Sequence, residues 1–425
     1  MALKVLIVAE YYPRALDAVS GIWAHRQALA TRDAAAGDAG ERAGRPAEQP
    51  VELRVLVLHR PLPSLASIRA LDLPAAARAL RQPAHADLDG LAVDYVRYLS
   101  PPRPWSYASW GAWAAPWLRH ALKSVRTTFP FDLIHAHYGV PAGDAVRRAV
   151  PGVPLVVSVH GHDVYGAGAR SANVHRTLAH ARLVVANSVG TARRCEALGA
   201  RQTRVIHLGA DLPPPPGAGT QAPAPSSRAP QAARAQTPTL VTLGHLVSRK
   251  RHADVICALA LLRDRGRDAR YVIVGDGPER ESLRTLARAL HLDDRVELRG
   301  QLPHAQAVAT IHAGSLFVLP SVEEAFGVAY IEAMAGGVPA IGCRNESGPE
   351  EIAAAGGGIA LVAPRNAHAL ADRIDALLSD RPALARMGAQ ARATVEREFT
   401  WRRCGRETRA AYRATLAAYR NASDQ

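Results

Sequence analysis

The sequence predicts an α/β protein built from two Rossmann-like, doubly wound parallel-sheet domains facing a cleft. Three observations lead there. Short, strongly apolar runs alternate with helical patterns along the chain, as expected of strands covered on both faces by helices. The alternation is interrupted once, by the proline-, alanine- and serine-rich stretch DLPPPPGAGTQAPAPSSRAPQAARAQTP (211–238), which cannot pack a core and reads as a linker. A length of 425 residues exceeds one ordinary core, so two or three domains are expected.

In the first half the apolar runs are KVLIVAE (4–10), VELRVLVLHR (51–60), FDLIHAHY (131–138), LVVSVHGHD (155–163), RLVVANS (182–188) and RVIHLG (204–209). An insertion, RDAAAGDAGERAGRPAEQP (32–50), reads as a surface loop. After the linker come TLVTLGHL (239–246), ARYVIVGDG (269–277), RVELRG (295–300), LFVLPS (316–321), PAIGC (339–343) and IALVAP (359–364). The expected division is a first domain over 1–212, a linker over 213–238, a second domain over 239–401 and a helical tail over 402–425. In such sheets ligands bind beyond the carboxyl ends of the strands, which places the expected site in the cleft.

The formal net charge is +14. Residues 1–212 hold 25 Lys and Arg against 16 Asp and Glu, or +9, and residues 237–425 hold 25 against 22, or +3. A basic first half suits an anionic membrane surface or a phosphorylated substrate. Nucleic acid is not expected as a partner, because no basic run carries interleaved aromatics. The four cysteines lack CxxC spacing, so neither a zinc site nor a disulfide framework is expected, and a reducing cytoplasm fits. MALKVLIVAEYYP at the start reads as a buried strand rather than a secretory leader. No run of 18 apolar residues occurs, so membrane contact would be peripheral.

The chemistry concentrates in PSVEEAFGVAYIEAMAGGVPAI (320–341). Glu324 and Glu332 stand eight positions apart, about 12 Å if the interval were helical, too far for a catalytic carboxylate pair. Phe326, Gly327 and Val328 are placed to open a helix whose free N–H groups would receive a diphosphate. Glu324 would then reach a sugar on one side of the phosphates and Glu332 a ribose on the other. A second stretch, GHLVSRKR (244–251), follows a strand and contains Lys250, one of only three lysines. Lysine offers a compact charge to a phosphate oxygen.

Glu, seven residues, Glu in this setting resembles the signature of glycosyltransferase family 4, the retaining enzymes of GT-B fold. The resemblance covers nearly all of the chain outside 211–238 and 32–50. It implies that Glu324 contacts hydroxyls of a donor sugar and Glu332 the ribose, and that the tail after FTW (399–401) crosses back to the first domain. It implies that Gly244, an arginine and Lys250 clamp the donor diphosphate; here His245 occupies the arginine position, so His245 or Arg249 would supply the missing charge. It implies that Gly275, in VGDGPE (274–279), shapes the nucleotide-base pocket, although the full GxGxxG pattern is absent.

In the first domain, SVHGHDV (158–164) offers His160 and His162, two apart and so on one face of an extended chain. The resemblance places His160 beside the transferred sugar or the acceptor, with Asp163 orienting a neighbour. His162 is assigned to the acceptor, and a metal is not expected, since no further ligand cluster accompanies the pair. His135 and His137 read as scaffold or cleft wall. In VSGIWAHRQALA (19–30), Gly21 lets backbone approach the donor closely, and Ser20, with Tyr11, Tyr12 and Pro13, is expected near the acceptor. DLD (87–89) reads as surface without a preceding strand.

The expected function is transfer of a sugar from a nucleotide-sugar to a hydroxyl of a glycan or lipid-linked acceptor, in bacterial surface polysaccharide assembly. Lys250, Glu324 and His160 form the expected catalytic set. No cofactor is expected, the nucleotide-sugar being a substrate. The alternatives are a non-catalytic nucleotide-sugar-binding subunit and a GT-B nucleotide-sugar epimerase.

Overall fold

A computed structural model describes residues 2–15, 17–34, 50–62, 81–102, 106–214 and 237–423. Most of the linker and of the 32–50 insertion lies outside them. The chain divides into two compact units: residues 1–209 with 401–425, and residues 210–400. The divisions fall at Gly209 and Thr400 rather than at 212 and 401, because the Ala210 N–H donates to the Phe399 carbonyl at 2.9 Å inside the second unit.

The first unit carries an eight-stranded sheet in the order β3-β4-β2-β1-β5-β6-β7-β8. Its strands are β1 (Leu3–Ala9), β2 (Val51–His59), β3 (His85–Leu88), β4 (Leu91–Arg97), β5 (Leu133–His137), β6 (Leu155–Val159), β7 (Leu183–Ala186) and β8 (Thr203–Val205). All neighbours are parallel except β3 against β4. Both faces are covered, and β1 shows how: Leu6 and Val8 enter one core cluster, while Ile7 and Ala9 enter another. Period-two side chains that are apolar on every position require a helix layer on each side. The unit's helices include α1 (Ile22–Asp33), α2 (Trp110–Thr128), α3 (Asp144–Ala149), α4 (Gly161–Val164), α5 (Ala172–His180) and α6 (Val189–Ala197).

The β3–β4 hairpin was not visible in the sequence: HADLDGLAVDYVR is too polar on its outer strand to register as an apolar run. DLD therefore does follow strand residues. Asp87 and Asp89 are exposed, as expected, but Asp89 is engaged, bonding His25 Nε2 at 2.8 Å.

The C-terminal helix, Trp401–Ser423, belongs to the first unit and runs well past Tyr412. It packs along α1 so closely that a Cβ on Gly405 would lie 2.0 Å from the Ala30 carbonyl oxygen. Gln27 Nε2 donates to Thr408 Oγ1 at 3.0 Å, and the fully buried Tyr412 hydroxyl meets His135 Nδ1 at 2.7 Å.

The second unit has a six-stranded parallel sheet, β11-β10-β9-β12-β13-β14. The strands are β9 (Thr239–Leu243), β10 (Arg270–Val274), β11 (Val296–Gly300), β12 (Leu316–Val318), β13 (Ala340–Cys343) and β14 (Ile359–Val362). Its helices are α7 (His252–Asp264), α8 (Arg280–Ala289), α9 (His304–His312), α10 (Val328–Ala335), α11 (Ser347–Ala355), α12 (Ala367–Ser379) and α13 (Arg381–Glu398). β9 and β12 are neighbours, so the loops that leave their carboxyl ends emerge side by side. Those loops carry Lys250 and Glu324. The four cysteines are free.

Candidate active site

In the second unit the loop after β9 tightens into a 3-10 turn, Ser248–Lys250, before α7. Lys250 Nζ forms an ion pair with Glu324 Oε2, and both side chains are largely buried. Ser321 Oγ donates to the same oxygen at 2.9 Å. The backbone binds the two loops together, with the Val322 N–H donating to the Arg249 carbonyl at 2.8 Å. Burial alone would raise the Glu324 carboxyl; the charges of Lys250 and Arg249 and the hydrogen bonds from Lys250 and Ser321 outweigh it and hold it below the ordinary carboxylate range. Glu324 is further fixed through its backbone: its N–H donates to Glu346 Oε2 at 2.8 Å and its carbonyl accepts from Gly348 at 3.3 Å. Glu346 was not singled out in the sequence.

The interval from Glu324 to Glu332 is only half helical. Residues 324–327 are loop, and α10 begins at Val328 behind Gly327 at φ 86°, without a side-chain cap. The helical spacing assumed for the two acids therefore does not apply over their whole separation. Ala325 and Phe326 are buried. Glu332 stands in the second turn of α10, its side chain only 13% exposed, and its Oε1 meets His304 Nε2 at 2.8 Å. His304 opens α9, which packs beside α10. No spacing rule connects a histidine at 304 with an acid at 332; the sheet order does.

Gly244, His245 and Gly275 form a second layer. Gly275 sits at φ 139°, where a Cβ would lie 1.9 Å from the Gly244 carbonyl oxygen. Glycine is required there by contact between the two loops. The His245 side chain is exposed; its carbonyl faces His252 Nε2 at 3.4 Å. Arg249 is exposed beside Lys250.

In the first unit the carboxyl ends of β5 and β6 bring His137 and His160 together, Nδ1 to Nε2 at 3.4 Å, with rings stacked at 17°. Tyr138 lies 4.5 Å from the His160 ring and Trp23 5.9 Å. The strand stops at Val159, so His160 and His162 do not share an extended face: His160 caps α4 and His162 lies within it, exposed against Tyr107. Burial pushes His160 down to about 4 and His135 to about 3, the latter aided by His160, and drives His137 well below its ordinary value. At neutral pH the three rings are uncharged. Asp163 is the anchor beneath them. Its carboxylate accepts the N–H of His160 at 3.1 Å and of Gly139 at 3.0 Å. Burial pushes its carboxyl up to about 7 against the pull of the His160, Gly139 and Val140 N–H groups.

The assignments of Tyr12 and Pro13 are corrected here. Tyr12 has no exposed surface and its hydroxyl bonds His25 Nδ1 at 2.8 Å, so it is core and cannot wall an acceptor pocket. At Gly21, φ 65°, a Cβ would lie 2.2 Å from the Tyr11 carbonyl, so the turn itself requires glycine there. Pro13 is likewise buried. Ser20 donates its N–H to Asp17 at 3.1 Å, and Tyr11 packs on Tyr138 at 5.0 Å. Sequence reading missed Glu10, buried at the end of β1, whose Oε2 accepts from the Tyr107 hydroxyl at 2.9 Å. Among the described residues, no three His, Cys, Asp or Glu are grouped as metal ligands.

The fold is shared with solved structures. Sucrose-phosphate synthase from Thermosynechococcus elongatus superposes with a TM-score of 0.71 at 20% identity, over 98% of this chain and 100% of that one. Anabaena HepE in complex with UDP-glucose gives 0.65 at 18%, over 97% and 100%. Two parallel-sheet units of this kind make this a GT-B-fold protein. Residues 47–213 match the family described as Glycosyltransferase Family 4, and residues 224–394 the one described as Glycosyl transferases group 1. The chain belongs to glycosyltransferase family 4.

Among curated relatives, a GDP-mannose-dependent alpha-(1-6)-phosphatidylinositol monomannoside mannosyltransferase of Mycobacterium tuberculosis is 33% identical over 199 residues, 44% of this chain and 51% of that protein. A 2-deoxystreptamine glucosyltransferase of Streptomyces kanamyceticus is 31% identical over 248 residues, 54% and 63%. The chain spans about half the length of the first curated relatives it matches.

Proposed function

We propose that the protein is a retaining, metal-independent glycosyltransferase that moves a sugar from a nucleotide-sugar to a hydroxyl of a glycan or lipid-linked acceptor in bacterial surface polysaccharide synthesis. The observation that carries this reading is the Lys250–Glu324 ion pair at the carboxyl edge of β9 and β12. A donor presents a phosphate and a sugar hydroxyl within a few bonds of each other. Lys250 turns to the phosphate and Glu324 to the hydroxyl, so each ligand group replaces one partner of the pair. The uncapped N-terminus of α10 adds N–H donors to the diphosphate, and Arg249 adds charge. Fixed cations and dipoles aimed at the leaving group are commonly the largest catalytic contribution. The acceptor hydroxyl attacks on the face from which the diphosphate departs, and a diphosphate oxygen takes its proton. Glu332 receives the ribose. In the first unit, neutral His160 offers a hydrogen bond to a hydroxyl without charge, and Tyr11, Ser20 and His162 contribute to acceptor binding. No cofactor enters this scheme.

Incubation with a panel of nucleotide-sugars, each with and without candidate acceptors, tests it. Acceptor-dependent release of free nucleotide is the expected result. Saturable binding without turnover across the panel would instead indicate a binding subunit. Turnover without acceptor to an isomeric nucleotide-sugar would indicate an epimerase. Glu332→Ala is expected to raise the donor KM about tenfold with little change in kcat, the pattern of a contact made equally in ground and transition states. An unchanged KM would remove Glu332 from the ribose.

We further propose that the enzyme works at an anionic membrane surface. Among the described residues, no helix is long and apolar enough to cross a membrane. On α2, however, Trp113 and Trp117 are 49% and 51% exposed, one turn apart, on a helix that also exposes Arg119, His120 and Lys123. Aromatic rings beside basic groups suit the headgroup layer. Co-sedimentation with phosphatidylglycerol vesicles is expected to fall at least fivefold in Trp113→Ala/Trp117→Ala and to weaken with salt. Equal sedimentation of variant and wild type would reject this face.

A further inference from the structure

The first unit has a second concave site, at the opposite edge of its sheet from the histidines. The cavity is about 850 Å³ and is lined by Arg147, Arg176, His180, Arg182, Arg201 and Tyr419, among others, with no acidic side chain among the described residues of its wall. Its position follows from the strands. Leu155, which begins β6, lines it; Arg182 directly precedes β7, and Arg201 stands two residues before β8. His160 lies past the other end of β6, five residues along, or about 16 Å in extended chain. The cavity is therefore at the amino edge of the strands, away from the edge where α/β sheets usually bind substrates, and the reading above leaves it unused.

The charges there are largely uncompensated. Arg147 pairs with the buried Asp144, which Arg148 shares, so its charge is offset within the protein. Among the described residues Arg176 reaches only the neutral Asn173 amide oxygen, at 2.8 Å, and Arg182 lies over the Tyr419 ring at 5.2 Å. Arg201 makes no hydrogen bond or ion pair among the described residues. Three guanidinium groups thus face one cavity. Opposing them are the C-termini of α3 and α5, each worth about half a negative charge, so a clear positive excess remains. His180 registers it: burial, then the charges of Arg147, Arg182 and Arg201, lower its pKa, and no acid pulls it back. Planar guanidinium groups with free N–H pairs match phosphate oxygens bidentately.

We infer that this arginine-lined cavity is a binding site for a phosphate-bearing anion, separate from the donor site. The same headgroup chemistry is offered by a soluble di- or polyphosphate and by a phospholipid, and the test distinguishes the two.

Pyrophosphate is titrated calorimetrically into three full-length proteins: wild type, Arg249→Ala/Lys250→Ala, and that variant carrying Arg201→Ala and Arg182→Ala in addition. The expected result is that one equivalent still binds when the donor-side cations are removed, and that its affinity falls at least tenfold when Arg182 and Arg201 are also removed. Arg201→Ala alone keeps the test sound if the combined variant melts early, since Arg201 supports no contact; a fall of at least threefold is expected. In parallel, wild type and Arg201→Ala are sedimented with phosphatidylglycerol and with phosphatidylcholine vesicles. Arg201-dependent binding to phosphatidylglycerol without pyrophosphate binding assigns the site to a lipid headgroup. Pyrophosphate binding abolished by Arg249→Ala/Lys250→Ala, together with vesicle binding indifferent to Arg201, overturns the inference and leaves the donor reading intact.

Discussion

Lys250→Ala is expected to lower transfer at least 100-fold and to destabilise the fold by about 3–5 kcal/mol. The two losses have separate causes. Removing one preorganised donor to a developing negative charge costs about 10²–10³ in rate. Removing one member of a buried ion pair strands the other, which costs about 3–5 kcal/mol. Glu324 would be left in a buried site with Ser321 and the more distant Arg249 for support, and would take up a proton. Lys250→Met/Glu324→Gln separates the effects, because no charge is stranded: urea unfolding is expected to return most of the lost stability while transfer stays at background. A double variant that recovers activity with stability would make the pair a structural device only. The pH dependence has a definite sign. The folded Glu324 carboxyl lies below its unfolded value, so its contribution is present above the unfolded pKa and is lost as pH falls through the folded one. Wild type is expected to lose this contribution only in acid, and Glu324→Gln to lack that acid limb.

Asp163→Ala is expected to cost about 3 kcal/mol or more, read as an early urea midpoint. The carboxylate accepts the N–H groups of His160 and Gly139, and each buried donor left without an acceptor costs about 1–3 kcal/mol. Both donors belong to segments that frame the histidine cluster, so His160 loses its position as well as the fold its stability. Asp163→Asn keeps one acceptor oxygen and is expected to fall between the two. Here the pH sign is opposite to that of Glu324. Burial raises the folded Asp163 carboxyl to about 7, so its stabilisation is full below the unfolded pKa and declines as pH rises towards 7. The stability advantage of wild type over Asp163→Asn is therefore expected to shrink between about pH 4 and pH 7. An advantage that grows over that range would show that the backbone donors, not burial, dominate at Asp163.

The contrast between these two acids shows where sequence reading stops. Both are buried, yet one is held low and the other high, because one has a lysine 74 positions away in the chain and the other has amide dipoles and the negative charge of Glu10. Neither neighbourhood is encoded locally. Tyr12 makes the same point: beside Tyr11 in sequence, it resembles a cleft residue, but α1 covers it and gives its hydroxyl to His25. The β3–β4 hairpin escaped because its outer strand alternates weakly, and a strand at a sheet edge needs no continuous apolar run.

The sequence by itself determined the α/β class, two sheets separated by a linker, most of the strands, and the candidate set of Glu324, Glu332 and Lys250. These follow from short-range hydrophobic periodicity, from one long, specific motif that holds the two glutamates, and from the basic stretch after β9 that holds the lysine. Only the tertiary structure decided what those residues meet. β9 lies beside β12 and β5 beside β6, so the carboxyl ends of these strands and the loops that leave them converge: Lys250 on Glu324, His137 on His160. Strand order is set by how helices cover a twisted sheet, a property of the whole unit that no local window of sequence contains.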